Sequence, residues 1–424
     1  MRLVNAHTLD LEDFPDDGKP VFNDENTPPF HRELPPYAIL SHTWGDDEMS
    51  YRDGPVHKNL PPGSSLKAGS KFGYLKIGNT CYEAQNRNLD YIWVDTICID
   101  KDNPEDTDKS INSMFHWYAR AEVCLVYLSD VSEPRLGDDI PLFSRWFTRG
   151  WTLPELVAPR KLVFFSGGWT LTGDINREQN GWKNDSESQR LIHTISLTTG
   201  IDRKYLDGTA SLHSASVAQR MSWAAKRETR EKEDIAYCLL GLFGVKMPLK
   251  YGEGDINAFR RLQEEILKTS SDQTIFAWEV RENTFNCGEG VRMLAPSPIC
   301  FAASGDFVRA ETCQDTTPIA VTDEGVTLNA PVLDLGCHTF LVLDCVNRQG
   351  SRKDDRICVP LLSEIDHYIR SSWPPTPLPF PTLSQVVREL KFRRLESPSL
   401  TACTILLTFD PSEHLTRCSS GVTW

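Results

Sequence analysis

The chain reads as an α/β protein: a parallel sheet covered by helices on both faces, followed by a helical region and a β-rich C-terminal region. Three observations predict this. Short apolar runs alternate with amphipathic stretches over the first 175 residues, the pattern turns purely helical from about Val217, and short β-type runs dominate from about Thr274. A length of 424 residues suits two or three domains, which places them at 1–175, 176–272 and 273–424.

In the first region YAILSH (37–42) is a short apolar strand. A helix follows with Tyr74, Ile77, Cys81 and Ala84 on one face, and YIWVDTICI (91–99) is a second strand, apolar on both sides. Past the loop KDNPEDTDKS, Ile111, Met114, Phe115 and Tyr118 share a helix face at i, i+3, i+4 and i+7. VCLVYL (123–128) is the third strand, RWFTRGWTLPELVAP a short helix and KLVFFS (161–166) the fourth strand. The stretches 15–36 and 53–70 are rich in Pro, Gly, Asp and Ser and read as surface-loop insertions.

The helical region contains VAQRMSWAAKR, then DIAYCLLGLFG stopping at Gly244, then NAFRRLQEEILKT, in which Phe259, Leu262 and Ile266 form a core face. TIFAWEV, PIAVTDEGVTLNAPVL, HTFLVLDCV, RICVPLL and TACTILLTF supply the β-type runs, interrupted by a proline tract at 373–382.

Composition narrows the function classes. Hydrophobic residues at 40% and charged residues at 25% describe a folded globular protein, and a net charge of -14 argues against gripping a phosphate backbone, so nucleic acid is not an expected partner. The twelve cysteines are scattered singly, several inside apolar runs (Cys98, Cys124, Cys345), and none forms a CxxC pair or a Cys/His cluster. Neither a metal site nor a disulfide framework is expected. The opening MRLVNAHTLDLEDF carries acids where a secretory signal has an apolar core, and no run approaches the ~18 apolar residues of a membrane span, so a cytoplasmic location is expected.

Functional groups of an open parallel sheet gather at the carboxyl ends of its strands. Here the first strand runs into Ser41, His42, Trp44, Gly45, Asp46 and Asp47, the second carries Asp95 and Asp100, and the third is followed by Arg149, Trp151 and Glu155. A carboxylate, an aromatic face and small hydroxyls are what a site needs to hold a ribose and an attached cationic ring: Glu155 suits the first role, Trp44 or Trp151 the second. Each residue also has a structural reading. Glu155 can be a carboxylate interacting with a helix N-terminus behind Pro154, the tryptophans can be core aromatics, Asp95 and His42 can belong to structural networks, and Cys98 fits the core. No GxGxxG, P-loop or GxSxG elbow is present, so a bound dinucleotide would be a substrate held in another way.

YAILSHTWGDDE (37–48), YIWVDTICIDK (91–101) and SRWFTRGWTLPELVAPR (144–160) resemble, in order and spacing, the three blocks of the fungal heterokaryon-incompatibility (HET) domain. The resemblance covers most of residues 1–305. It implies a flavodoxin-like fold similar to Toll/interleukin-1 receptor (TIR) domains, and a role in non-self recognition that ends in programmed cell death. Plant TIR domains carry a WCLxEL-type motif whose glutamate cleaves NAD, and Trp151, Leu153, Glu155 and Leu156 fall on it, with Pro154 where HET relatives usually carry Gln. The resemblance thus implies Glu155 as catalytic, with Ser41, His42, Trp44, Asp46, Asp95, Arg149 and Trp151 on the substrate side, NAD as substrate, no metal, homo-oligomerisation on activation and a separate incompatibility partner. The alternative it leaves is a non-catalytic assembly or signalling scaffold.

Overall fold

The computed structural model describes residues 1–15, 34–53, 72–132, 143–177, 186–279, 293–310, 319–322, 325–334, 339–349, 356–363, 368–370 and 399–408. Most of the expected insertions at 15–36 and 53–70, and the proline tract at 373–382, lie outside them. The chain divides into two compact units, Met1–Leu212 with Arg227–Arg230 and Tyr237–Leu249, and His213–Lys226 with Glu231–Ala236 and Lys250–Trp424. The stretch 176–272 contributes to both.

The first unit runs β1 (Arg2–Asn5), β2 (Leu11–Asp13), β3 (Tyr37–His42), α1 (Phe72–Gln85), β4 (Tyr91–Trp93), α2 (Asp95–Cys98), α3 (Pro104–Arg120), β5 (Val123–Tyr127), α4 (Thr152–Val157), β6 (Lys161–Phe165), β7 (Leu171–Asn176), α5 (Ser186–Thr199) and α6 (Arg203–Leu206). Its sheet order is β2-β1-β4-β3-β5-β6-β7. The four central strands are parallel, with Ser41 beside Val126 and His42 beside Tyr127. The four expected strands form the parallel part, and the edge strands β1, β2 and β7, not read from the sequence, pair antiparallel. Short, partly polar strands such as LED and LTGDIN carry little periodic signal, which is why pattern reading passes over them.

Two further expectations change. The second strand ends at Trp93 and not at Ile99: the amides of Ile97 and Cys98 turn back onto the Val94 carbonyl, and Asp95 opens a helical turn. In α3 the buried face is Ser110, Met114, Trp117 and Tyr118, with Ile111 and Phe115 half-buried. Asn103 caps this helix by accepting from the amides of Glu105 and Asp106. In α1 the expected face of Tyr74, Ile77, Cys81 and Ala84 is buried.

The remaining helices are α7 (Val217–Ala224), α8 (Asp234–Tyr237), α9 (Leu240–Phe243) and α10 (Asp255–Thr269). Gly244 ends α9 in the left-handed conformation (φ 69°), the usual helix stop of a residue without Cβ. In the second unit α7 begins with a capping box between Ser216 and Gln219, and Phe259, Leu262 and Ile266 of α10 are buried. The start of TIFAWEV lies in a 3-10 turn, Gln273–Phe276, and not in a strand, because Asp272 accepts from the Thr274 amide at its start and also from the Val217 amide.

The β-rich region comprises β8 (Phe307–Arg309), β9 (Ala320–Val321), β10 (Gly325–Asp334), β11 (Thr339–Asn347), β12 (Arg356–Ser363), β13 (Tyr368–Arg370) and β14 (Ser399–Thr408). β10 pairs with both β11 and β14, so β10 to β14 close into a ring that leaves β8 and β9 as outer pairings.

Gly73 donates its amide to the Asp47 carbonyl at 3.0 Å, which ties α1 to the loop after β3. A Cβ there would lie 2.5 Å from the Met49 nitrogen and 2.8 Å from the Asp47 oxygen, both backbone atoms. Gly73→Ala should therefore cost about 1–3 kcal/mol in urea unfolding. Wild-type stability in that variant would contradict the packing described.

Candidate functional site

Successive residues of a strand point to opposite faces, so Ser41 and His42 open two neighbouring clusters at the carboxyl end of β3. On the face of α3 and α4, the Ser41 hydroxyl donates to Glu155 Oε2 at 2.5 Å and accepts from the Trp146 indole N–H at 2.8 Å. The Tyr118 hydroxyl, in hydrogen-bond reach of Glu155, donates its own proton to the Leu40 carbonyl at 2.8 Å. Glu155 is only 6% exposed.

Burial pushes the Glu155 carboxyl well above its ordinary pKa, and the charge of Asp95 adds to the rise, while the Ser41 and Tyr118 hydrogen bonds and Arg227 oppose it. Its surroundings thus favour the protonated form over the carboxylate. Glu155 Oε2 accepts from the Ser41 hydroxyl, which itself accepts from the Trp146 indole N–H.

Two arginines, Arg227 buried and Arg177 half-buried, hold the helix that presents Glu155. Arg227 donates to the Arg149 carbonyl (2.8 Å) and to Thr152 Oγ1 (2.9 Å) at the start of α4. Arg177 donates to the carbonyls of Leu156 (2.9 Å), Val157 (3.3 Å) and Pro159 at its end, and to Leu206 (2.7 Å). Burial lowers each guanidinium to about 10, which leaves both charged near neutrality. Pro154 falls in the first turn, where a backbone N–H has no helical partner, and its carbonyl accepts from Ala158 at 2.9 Å.

The second cluster lies nearer the surface. The Trp44 indole, 44% exposed, donates to Asp95 Oδ2 at 2.8 Å, and Lys101 Nζ sits 3.4 Å from the Trp44 ring centroid and 3.9 Å from Asp95. An exposed cation–π contact of this kind contributes about 0.5–1 kcal/mol. His42 Nε2 is 3.3 Å from Asp95 Oδ1 but outside hydrogen-bond geometry, and neither ring nitrogen makes a hydrogen bond. Burial, with the charge of Lys76 next, pulls His42 down from 6.5 to about 4, so the ring is neutral. Lys76 is itself buried and paired with Glu48. Thr43 Oγ1 and Ser129 Oγ, 3.5 Å apart, link the loops after β3 and β5 between the two clusters.

The structure thus gathers Ser41 with Glu155, and His42 and Trp44 around Asp95. Asp46 is exposed on the loop after β3. Arg149 takes part through its carbonyl, and Trp151 is half-buried at the start of α4. Cys98 is a core thiol that accepts from the Val94 amide, pushed up to about 12 by burial. Trp146, Tyr118, Lys101 and Arg227 were not singled out from sequence for the site. Trp146 and Lys101 do sit inside the tryptophan-rich blocks, whereas Tyr118 reads only as a core position and Arg227 carries no local signal.

Among the described residues no cluster of three or more His, Cys, Asp or Glu is arranged to hold a metal, and no helix is long and apolar enough to cross a membrane. Cys98, Cys124 and Cys345 are buried free thiols.

Comparison with known proteins matches residues 37–139 to the family described as Heterokaryon incompatibility protein (HET), and residues 257–313 to a Domain of unknown function (DUF8212). The chain is 44% identical over 245 residues to Vegetative incompatibility protein HET-E-1 of Podospora anserina, a match that covers 56% of this chain and 16% of that protein. No solved structure matches. Residues 37–139 thus match the HET family, and the chain spans only a small part of the length of the curated relative it matches.

Because Glu155 is raised, it holds a proton in the folded state that the unfolded chain releases near pH 4.5, so its contribution to stability is lost as pH rises from there through the folded value. Glu155→Gln keeps the neutral shape and removes that titration. Relative to wild type the variant should gain up to about 1.4 kcal/mol per pH unit within that window, read from urea unfolding at a series of pH values. His42 titrates in the opposite sense in both proteins and cancels. Parallel pH curves would contradict a neutral Glu155.

Proposed function

We propose that this HET-domain chain is an effector of fungal vegetative incompatibility that cleaves NAD at the nicotinamide glycosidic bond, with Glu155 as the catalytic carboxyl. The observation that carries this reading is the placement of Glu155 against Ser41 at the carboxyl end of the central strands. The parallel strands run in the order second, first, third, fourth, that of flavodoxin-like sheets, in which ligands bind where the strand order reverses. That reversal lies between β3 and β5, where Thr43 meets Ser129.

In the reaction the C–N bond between ribose and nicotinamide breaks, nicotinamide leaves with the bonding pair, and water supplies hydroxyl to the ribose and a proton to solution. An ionised Glu155 would stabilise the oxocarbenium charge and accept from a ribose hydroxyl, while Trp44 stacks on the pyridinium. Burial, which favours the neutral acid, opposes the first of these roles. On this reading the buried carboxyl is the resting form, and activation by assembly or by a partner protein exposes it for turnover.

The same burial favours a second reading, in which Glu155 is a structural acid and the domain serves as a scaffold for assembly. The two are separated by incubating concentrated full-length protein with NAD and following nicotinamide and ADP-ribose. Catalysis by Glu155 should give release that falls at least about 100-fold in Glu155→Gln, the scale of losing a key electrostatic group. Equal release by both, or none by assembled wild type together with undiminished toxicity of Glu155→Gln on induced expression, would favour the scaffold.

A further inference from the structure

We propose that Lys101 selects the ligand of this site: its ammonium covers the face of Trp44 in the resting domain, and an incoming ring displaces it onto a phosphate of the same ligand. The inference rests on the proposed reading in taking nicotinamide nucleotides as the ligand class, but it concerns binding and not turnover.

The Trp44 ring is an oriented platform. Its indole N–H is tied to Asp95 at 2.8 Å, and yet 44% of the residue is exposed. One face is occupied by the Lys101 ammonium at 3.4 Å. A ring face that holds an ammonium attracts a pyridinium for the same reason, because its negative quadrupole faces the cation. The Asp95 carboxylate beside it, 3.9 Å from Lys101, favours positive charge there whichever cation is present.

A ring can stack on that face only when Lys101 leaves. Lys101 is 41% exposed on a flexible four-carbon stem, so leaving is sterically open. A displaced ammonium facing only water exchanges the indole face for hydration and makes no contact with the ligand. If the ligand carries a phosphate a few ångströms from its ring, as a nucleotide does, Lys101 exchanges the aromatic contact for a charge-assisted hydrogen bond. The site is thereby biased toward nucleotides over the corresponding nucleosides.

The test is calorimetric titration of the full-length chain with nicotinamide mononucleotide and nicotinamide riboside, beside Lys101→Met and Lys101→Arg. Wild type should prefer the mononucleotide by roughly tenfold, the worth of one charge-assisted hydrogen bond. Lys101→Met should lose that preference while binding the riboside at least as well as wild type, and Lys101→Arg should restore much of it. A phosphate preference that survives in Lys101→Met, its absence in wild type, or failure of wild type to bind either ligand would overturn the proposal. Nicotinamide release is followed in the same samples: Lys101-dependent binding without release supports the inference and counts against hydrolysis alone.

Discussion

A carboxyl group removed from water has to be neutral or paired, and the site is organised around how Glu155 meets that demand. No cation reaches its oxygens by a direct salt bridge among the described residues; burial favours the protonated form, and the carboxyl takes a hydrogen bond from Ser41. Each partner is fixed in turn. Ser41 is locked between the acid and the Trp146 indole, and Tyr118 is committed to the Leu40 carbonyl. Loss of any one member leaves a buried polar group unpaired, at a cost of about 1–3 kcal/mol.

This constraint explains why so much of the surrounding chain serves a helix of six residues. Arg177 gathers the carbonyls at the end of α4, and Arg227 binds its first turn. Both guanidiniums thus bond to backbone oxygens and the Thr152 hydroxyl, where they fix the helix and leave the carboxyl to Ser41. Asp95 opposes ionisation of Glu155 from the other side of β3, and its own charge is met by Trp44 and Lys101. The exposed pair of Trp44 and Lys101 and the buried acid are in this way coupled through one aspartate.

Much of this was legible in the sequence because the three tryptophan-rich blocks fall on strand ends. YAILSH, VCLVYL and KLVFF gave strands within a residue of β3, β5 and β6, and the α1 face was set by its periodicity. Ser41 and Glu155 were both named from their positions past strand ends, and the fold places them 2.5 Å apart. What local pattern missed depends on distant partners. YIWVDTICI continues as an apolar run, but its backbone turns at Val94 and leaves Asp95 beside Trp44. TIFAWEV has strand composition and is turned by the Asp272 side chain. Tyr118 sits at a core position whose hydroxyl matters only because α3 and α4 share a face, and the closure of β10 onto β11 and β14 has no signature within any one strand.

The protonation of one side chain decides how this site is held. The carboxyl carbon of Glu155, assigned by comparison with Glu155→Gln and followed by carbon NMR from about pH 5 to about pH 8, reports it directly, since burial holds the proton well past the range of a solvated carboxyl. The shift should stay at the value of a neutral acid at pH values where exposed glutamates have already ionised. A Glu155 signal that titrates together with the exposed glutamates would contradict it.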